Sequence, residues 1–145
     1  MIEVKHVTED HHLDQVFAIR KKVFVEEQNV EPEDEFDEFE DSSRHFLAYY
    51  DGKPCGTARW RFTPNGIKLE RFAVLEQYRG HKVGHHLVEE VLQDIMKLPE
   101  AEGKQLYLHA QLPAVSLYSR FGFVKEGDQF EECDIMHYKM TKPPF

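Results

Sequence analysis

The chain has 145 residues, 41% of them hydrophobic and 12% aromatic, enough to fill one core, so a single domain over residues 1–145 is expected. A net charge of -9 argues against a general nucleic-acid binder, and no apolar run approaches the ~20 residues of a bilayer span. Cys55 and Cys133 stand in no metal-ligand or disulfide-framework spacing, which suits a soluble protein of the reducing cytoplasm.

Ile2 to Val7 alternates apolar and charged residues as a strand does. After Asp10, a candidate N-cap, Leu13, Val16, Phe17, Arg20 and Phe24 recur at helical spacing, which predicts an amphipathic helix to about Val25. Between Glu26 and Asp41 there are ten acidic residues and no Lys or Arg, leaving 17 of the 27 acids against all 18 bases elsewhere. Such a run reads as a solvated, mobile loop or irregular helix, or as a surface that draws a cationic partner. Phe46 to Tyr50, Asp51-Gly52 and Lys53 to Phe62 predict a hairpin with a tight two-residue turn. Asn65-Gly66 is a second turn signal, leading into a strand from Ile67 to Val74.

After a loop holding Arg79, Gly80 and Gly84, the residues Val83, Leu87, Val88, Val91, Leu92 and Ile95 form one apolar helical face, ended by Pro99 and Gly103. Leu106 to Ala110 reads as a buried strand, Pro113 to Phe121 as a short helix ended by Gly122, and Phe123 to Glu126 and Ile135 to Met140 as the last strands. The order βαβββαβαββ predicts an α+β fold with a mixed central sheet flanked by helices. Its one parallel crossover runs from Ile67 to Ala110.

The loop Tyr78-Arg-Gly-His-Lys-Val-Gly84 feeds a helix N-terminus, where unpaired N–H groups and the helix dipole favour an anion, and Arg79 and Lys82 add positive charge. Its spacing is neither a Walker loop nor the Rossmann G-x-G-x-x-G. Arg79-Gly-His-Lys-Val-Gly84 resembles the Q/R-x-x-G-x-G/A pyrophosphate loop of the GNAT superfamily of N-acetyltransferases, and Ala114-x-x-Leu-Tyr-Ser-Arg-Phe-Gly-Phe123 resembles that family's distal motif. Ile19 to Gln28, His45, Gly56 to Arg61, Leu69-Glu-Arg71 and His137 extend the likeness to the YjcF and ElaA branch over nearly the whole chain.

The resemblance implies an acetyl-CoA-dependent N-acetyltransferase that transfers acetyl directly to a primary amine of a small molecule. The backbone of Phe72, Ala73 and Val74 would hold the pantetheine arm and thioester. Arg79, Gly80, His81, Lys82, Val83, Gly84 and His85 would hold the pyrophosphate, and Gln111 stands where the family's distal motif usually has Asn. Lys82 stands where most of the superfamily has glycine, so its side chain either obstructs the phosphates or neutralises one; the ElaA type also has Lys there.

Fixing both ends of the thioester supplies catalysis through proximity, without a covalent enzyme intermediate. An alkylammonium with a pKa near ~10.4 must still lose a proton, and the leaving thiolate must gain one. Tyr118 matches the family's distal tyrosine and is the candidate acid. His137, placed on the last strand like the catalytic histidine of glyphosate N-acetyltransferase, is the candidate base, with Glu27, Asp37 and Glu70 as alternatives.

Arg20, Glu27, Gln28, Asp37, Arg59, Arg61 and Arg71 are candidates to line the acceptor pocket. The arginines would suit an acid group on the acceptor, or else pair with Glu27, Asp37 or Glu70. His81, His85 and His86 lack a third convergent ligand, so no metal is expected. A catalytically idle acetyl-CoA-binding module, or a protein-lysine acetyltransferase, are the competing readings. Homodimers are common among such folds.

Overall fold

Period-two alternation sends Phe46 and Ala48 to one face of a sheet and Leu47 to the other, and all three are buried because helices cover both faces. The computed structural model describes residues 1–145. Its strands are β1 (Ile2–Val7), β2 (Arg44–Tyr50), β3 (Lys53–Thr63), β4 (Gly66–Val74), β5 (Leu106–Gln111), β6 (Val124–Glu132) and β7 (Ile135–Lys142). They form one seven-stranded sheet in the order β1-β2-β3-β4-β5-β7-β6. Every pairing is antiparallel except β4 with β5. This is the mixed sheet expected from the element order.

Helix α1 (Asp10–Arg20) and its continuation buries Val16, Ile19, Val23 and Phe24 against Val7, Leu47 and Ala73 on one face. Helix α3 (Val83–Met96) covers the other face with Val83, Leu87, Val88, Val91 and Ile95, packed on Trp60, Ile67, Leu69, Leu106 and Leu108. Gly56 makes that approach possible: a Cβ there would meet Ala73 O at 3.0 Å and Val83 Cγ1 at 3.1 Å. The chain also has a short α2 (Pro32–Glu35) and α4 (Val115–Ser119). No helix is long and apolar enough to cross a membrane.

Three segments differ from the sequence expectation. The first helix does not run regularly to Val25; it changes after Arg20 into a π-helical stretch, Lys21–Glu27, that turns Phe24 inward. Strand β6 continues to Glu132 through a register shift after Glu126, with Gly127 at φ +80°, whereas the polar Gly-Asp-Gln sequence reads as a loop. The acidic segment is solvated only in part: Glu26, Glu27, Glu31, Glu33, Asp34, Glu38 and Asp41 are exposed, but Glu35 is buried and Asp37 and Glu40 are largely covered, because these three meet arginines.

Candidate active site

The parallel pairing of β4 with β5 is short: Ile67, Lys68 and Leu69 face Leu106, Tyr107 and Leu108, and the register ends there. Beyond it, β4 is pulled toward β3 by a bulge at which the register shifts between Thr57 and Arg59 and Arg71 adopts φ +58°. A non-glycine residue held there costs roughly 1–3 kcal/mol and persists only when its surroundings fix it. Arg71 is fixed by ion pairs to Glu35 at 2.6 Å and Asp37 at 3.1 Å. The result is a V-shaped opening in which the β5-facing edge of residues 70–74 has no strand partner.

The central cavity lies in this opening. Phe72 and Tyr118 close its inner end edge to face, with ring centroids 5.6 Å apart. Tyr118 is 6% exposed. Burial alone raises its hydroxyl pKa, with no protein charge or hydrogen bond contributing, so the hydroxyl stays protonated and uncommitted.

His137 lines the same cavity, is 6% exposed, and stacks on Phe130 at 5.8 Å. Its Nδ1 lies 2.7 Å from the Ile135 carbonyl, and a carbonyl only accepts, so Nδ1 carries the proton and Nε2 of the neutral ring keeps a lone pair. Gln111 sits opposite His137 in the β5–β7 register and donates to Gln28 Oε1 at 2.9 Å, linking β5 to the end of the π-helical stretch.

A histidine–carboxylate pair also lines the cavity, without any motif to announce it. His109 Nδ1 donates to Glu132 Oε2 at 3.0 Å, a hydrogen bond that holds the Glu132 carboxyl below its usual pKa. The two are 23 positions apart and meet only because β5, β7 and β6 are neighbours in the sheet.

Of the residues expected to face the acceptor, Gln28 and Arg71 line the cavity, whereas Arg20, Asp37, Arg59 and Arg61 lie beneath it in a buried ion network and Glu27 pairs with Arg79. Glu40 accepts from Arg20 at 2.7 Å and from Arg59 at 2.8 Å. Asp37 receives both terminal nitrogens of Arg59, at 2.9 and 2.7 Å. Glu70 accepts from Arg59 at 2.8 Å and Arg61 at 2.7 Å. Burial opposes ionisation of Asp37, but the hydrogen bonds and charge of Arg59 prevail and take it down to about 2. Glu35 is the exception: burial outweighs Arg71 and Arg20 and pushes its carboxyl up to about 7.

A separate groove adjoins the end of β4 and is lined by Val74, Tyr78, Arg79, Gly80, Lys82, Val83, Gly84 and His85, joined by Leu117 and Arg120. Lys82 is the N-cap of α3 at φ +68°, the left-handed conformation that glycine adopts freely, and it makes no side-chain cap. The first intrahelical bond runs from His86 N to Lys82 O, so the N–H groups of Val83, Gly84 and His85 are free for an anion. These donors, with three cations around them, fit the diphosphate of an acyl-CoA. Arg79 donates to the Val74 carbonyl at 2.9 Å and to Glu27 at 2.6 and 2.8 Å, and its bonds to Glu27 depress the Glu27 pKa.

Gly84 serves packing: a Cβ there would meet Leu117 Cδ2 at 3.2 Å, so glycine lets α4 approach α3. His81 lies outside the groove lining and packs on Tyr50 at 5.3 Å, and Ala73 is buried in the α1 core. Arg120 occupies an unspecified position of the distal motif and carries no signal in the sequence.

The profile of the acetyltransferase (GNAT) domain matches residues 7–143. The chain belongs to the GNAT acetyltransferases. YjcF of Bacillus subtilis, which bears the name of an N-acetyltransferase, is 37% identical, the match covering 92% of this chain and 94% of that protein. ElaA of Escherichia coli is 29% identical over 88% of this chain and 84% of its own, and its crystal structure superposes with a TM-score of 0.83 over 98% and 99% of the two chains. An acyl-CoA N-acyltransferase from Pseudomonas aeruginosa, 28% identical, gives 0.82 over 98% of each chain. Among GNAT enzymes the cosubstrate is an acyl-CoA, and a more distant fold relative from Elizabethkingia anophelis, 14% identical with a TM-score of 0.72 over 98% and 97% of the two chains, was solved with acetyl-CoA bound.

Proposed function

We propose that this chain, acting as one cytoplasmic domain, transfers acetyl from acetyl-CoA directly to the primary amine of a small molecule. The observation that carries the reading is the pairing of two buried, uncommitted proton-handling groups at one opening: the protonated Tyr118 hydroxyl and the unbonded Nε2 of His137. Neither atom bonds to protein and neither is sealed from solvent, so both are open to a ligand at the cavity, an arrangement that a catalytically idle binding module does not need.

Acetyl-CoA supplies a thioester carbonyl, with its diphosphate held by the N–H groups of Val83, Gly84 and His85 and by Arg79, Lys82 and Arg120. The unpaired β4 edge at Phe72 to Val74 orients the pantetheine arm. His137 Nε2 takes a proton from the acceptor ammonium, freeing the lone pair that forms the new C–N bond. Tyr118 gives its proton to the sulfur as the C–S bond breaks. The second proton of the attacking nitrogen is lost as the adduct collapses and restores Tyr118, so amide, CoA thiol and the one proton released from His137 balance the reaction. Glu27, Asp37 and Glu70 are less suited to the base role, each being engaged by an arginine.

Asp34 and Glu35 of α2, in the acidic arm of residues 26–41, line the cavity together with Gln28 and Val30, which favours a small acceptor over a folded protein's lysine. Release of CoA thiol in the presence of a panel of amines tests the reading. His137→Ala is expected to lower kcat/KM and abolish the acidic limb of the pH profile, while a limb unchanged from wild type removes His137 from the base role.

A further inference from the structure

The cavity where the acceptor amine would react is lined by two cations, Lys68 and Arg71, and four acids, Asp34, Glu35, Glu70 and Glu132. Both cations are already satisfied. Lys68 Nζ lies 3.5 Å from Glu70, and Arg71 is bound to Glu35 and Asp37. Arg59 and Arg61, behind them, end on Asp37, Glu40 and Glu70. No arginine is therefore left for a carboxylate or phosphate on the acceptor, which removes the attraction to an amine-and-acid substrate that the arginine-rich sequence suggests.

The acids are not all satisfied in return. Asp34 has an exposed carboxylate that meets no cation; only its backbone carbonyl is used, accepting from Arg71 at 3.4 Å. Glu132, also exposed, is bonded only to the His109 ring, at 3.0 Å, with the charge of Lys68 reaching it from farther away. Asp34, Glu132 and Cys133 line the same cavity, and the thiol pKa of Cys133 is raised by burial and next by the charges of Asp34 and Glu132, against Arg71, so both carboxylates act on one part of the lining. His137, 6% exposed as a residue, lines the same cavity, and its Nε2 has no hydrogen-bond partner in the protein.

Resting on the amine-acetylating reading, we propose that the acceptor is an alkylamine with a second positive charge, its reacting nitrogen at Tyr118 and His137 and its distal cation held by Asp34 and Glu132. The distal ammonium gains two carboxylates that no lysine or arginine pairs with, whereas a distal carboxylate meets the same two charges while Lys68 and Arg71 are already paired. Asp34 and Glu132 are then the specificity determinants, and neither takes part in the bond changes.

Three amines of equal chain length isolate the charge: 1,4-diaminobutane, n-butylamine and 4-aminobutanoate, assayed with acetyl-CoA by CoA thiol release. The expected order of kcat/KM is diamine, monoamine, amino acid, with the gap between the first two narrowing as salt is raised. Asp34→Asn and Glu132→Gln should each raise KM for the diamine about 2- to 5-fold and leave that for n-butylamine within about 2-fold. A preference for 4-aminobutanoate, or a diamine KM that neither variant moves, overturns the dicationic acceptor while leaving amine acetylation standing. Acetyl-CoA binding without thiol release to any of the three overturns the amine-acetylating reading, and this inference with it.

Discussion

Arg20, Arg59, Arg61 and Arg71 lie under the acidic arm and all end on carboxylates, while of Arg79, Lys82 and Arg120 around the second groove only Arg79 has an anionic partner, Glu27. Both sets are strong positive charge near a cleft. The first is spent on folding, since Arg20 and Arg59 have no solvent exposure and replace water with protein oxygens. The second faces open space at a helix start whose N–H groups are unbonded, an arrangement that gains by receiving phosphate. Charge near a cleft therefore identifies a ligand only when its partners are counted.

The sharpest way to break this comparison is Arg59→Met. It strands Asp37, Glu40 and Glu70 around an apolar side chain and is expected to cost about 3–5 kcal/mol in urea unfolding. Arg120→Ala, at an exposed site, should leave the urea midpoint unchanged to within about 0.5 kcal/mol while weakening acetyl-CoA binding. Equal losses of stability from both substitutions would erase the distinction.

Tyr118→Phe should keep acetyl-CoA affinity, read by calorimetry, and lower kcat by roughly one to three orders of magnitude. An unchanged kcat would reduce the residue to its contacts with Phe72 and Phe123.

Acid is expected to open the arm. Asp37 has a folded pKa of about 2, below its ordinary 3.8, so its stabilisation is present above pH 3.8 and is lost as pH falls through 2, a change of about 2 kcal/mol. Glu35 has the opposite sign: its folded pKa of about 7 lies above its ordinary 4.5, so its contribution is greatest below 4.5 and falls as pH rises through 7. Urea midpoints from pH 2 to 8 should therefore peak in between, and Glu35→Gln should flatten the upper slope alone.

The smallest effect sharpens the groove side. Lys82→Gly relieves a left-handed residue and should add up to about 1 kcal/mol of stability while weakening acetyl-CoA binding several-fold. Gain on both counts would show that the lysine obstructs the phosphates.

The sheet and α3 were legible because alternation, the Asp51-Gly52 turn and the apolar face from Val83 to Ile95 are local signals. Strand β6 was only partly legible, since it is an exposed edge with a polar bulge at Gly127 and no apolar alternation to mark it. The acidic arm misleads by composition: Glu40 meets Arg20 and Arg59 from 20 and 19 positions away, and such partners carry no sequence period. His109 with Glu132 escaped for the same reason. Tyr118 was legible only through a family motif, the loop from Arg79 to Gly84 read as an anion site at a helix start as well as a family motif, and Gly84's packing against Leu117 needed the fold.

The most direct test of the central claim is acetyl-CoA turnover followed by free CoA thiol, with and without a primary alkylamine. The account predicts amine-dependent thiol release matched mole for mole by N-acetylated product. Acetyl-CoA binding that produces no acetylated amine across diamines, monoamines and amino acids would contradict it.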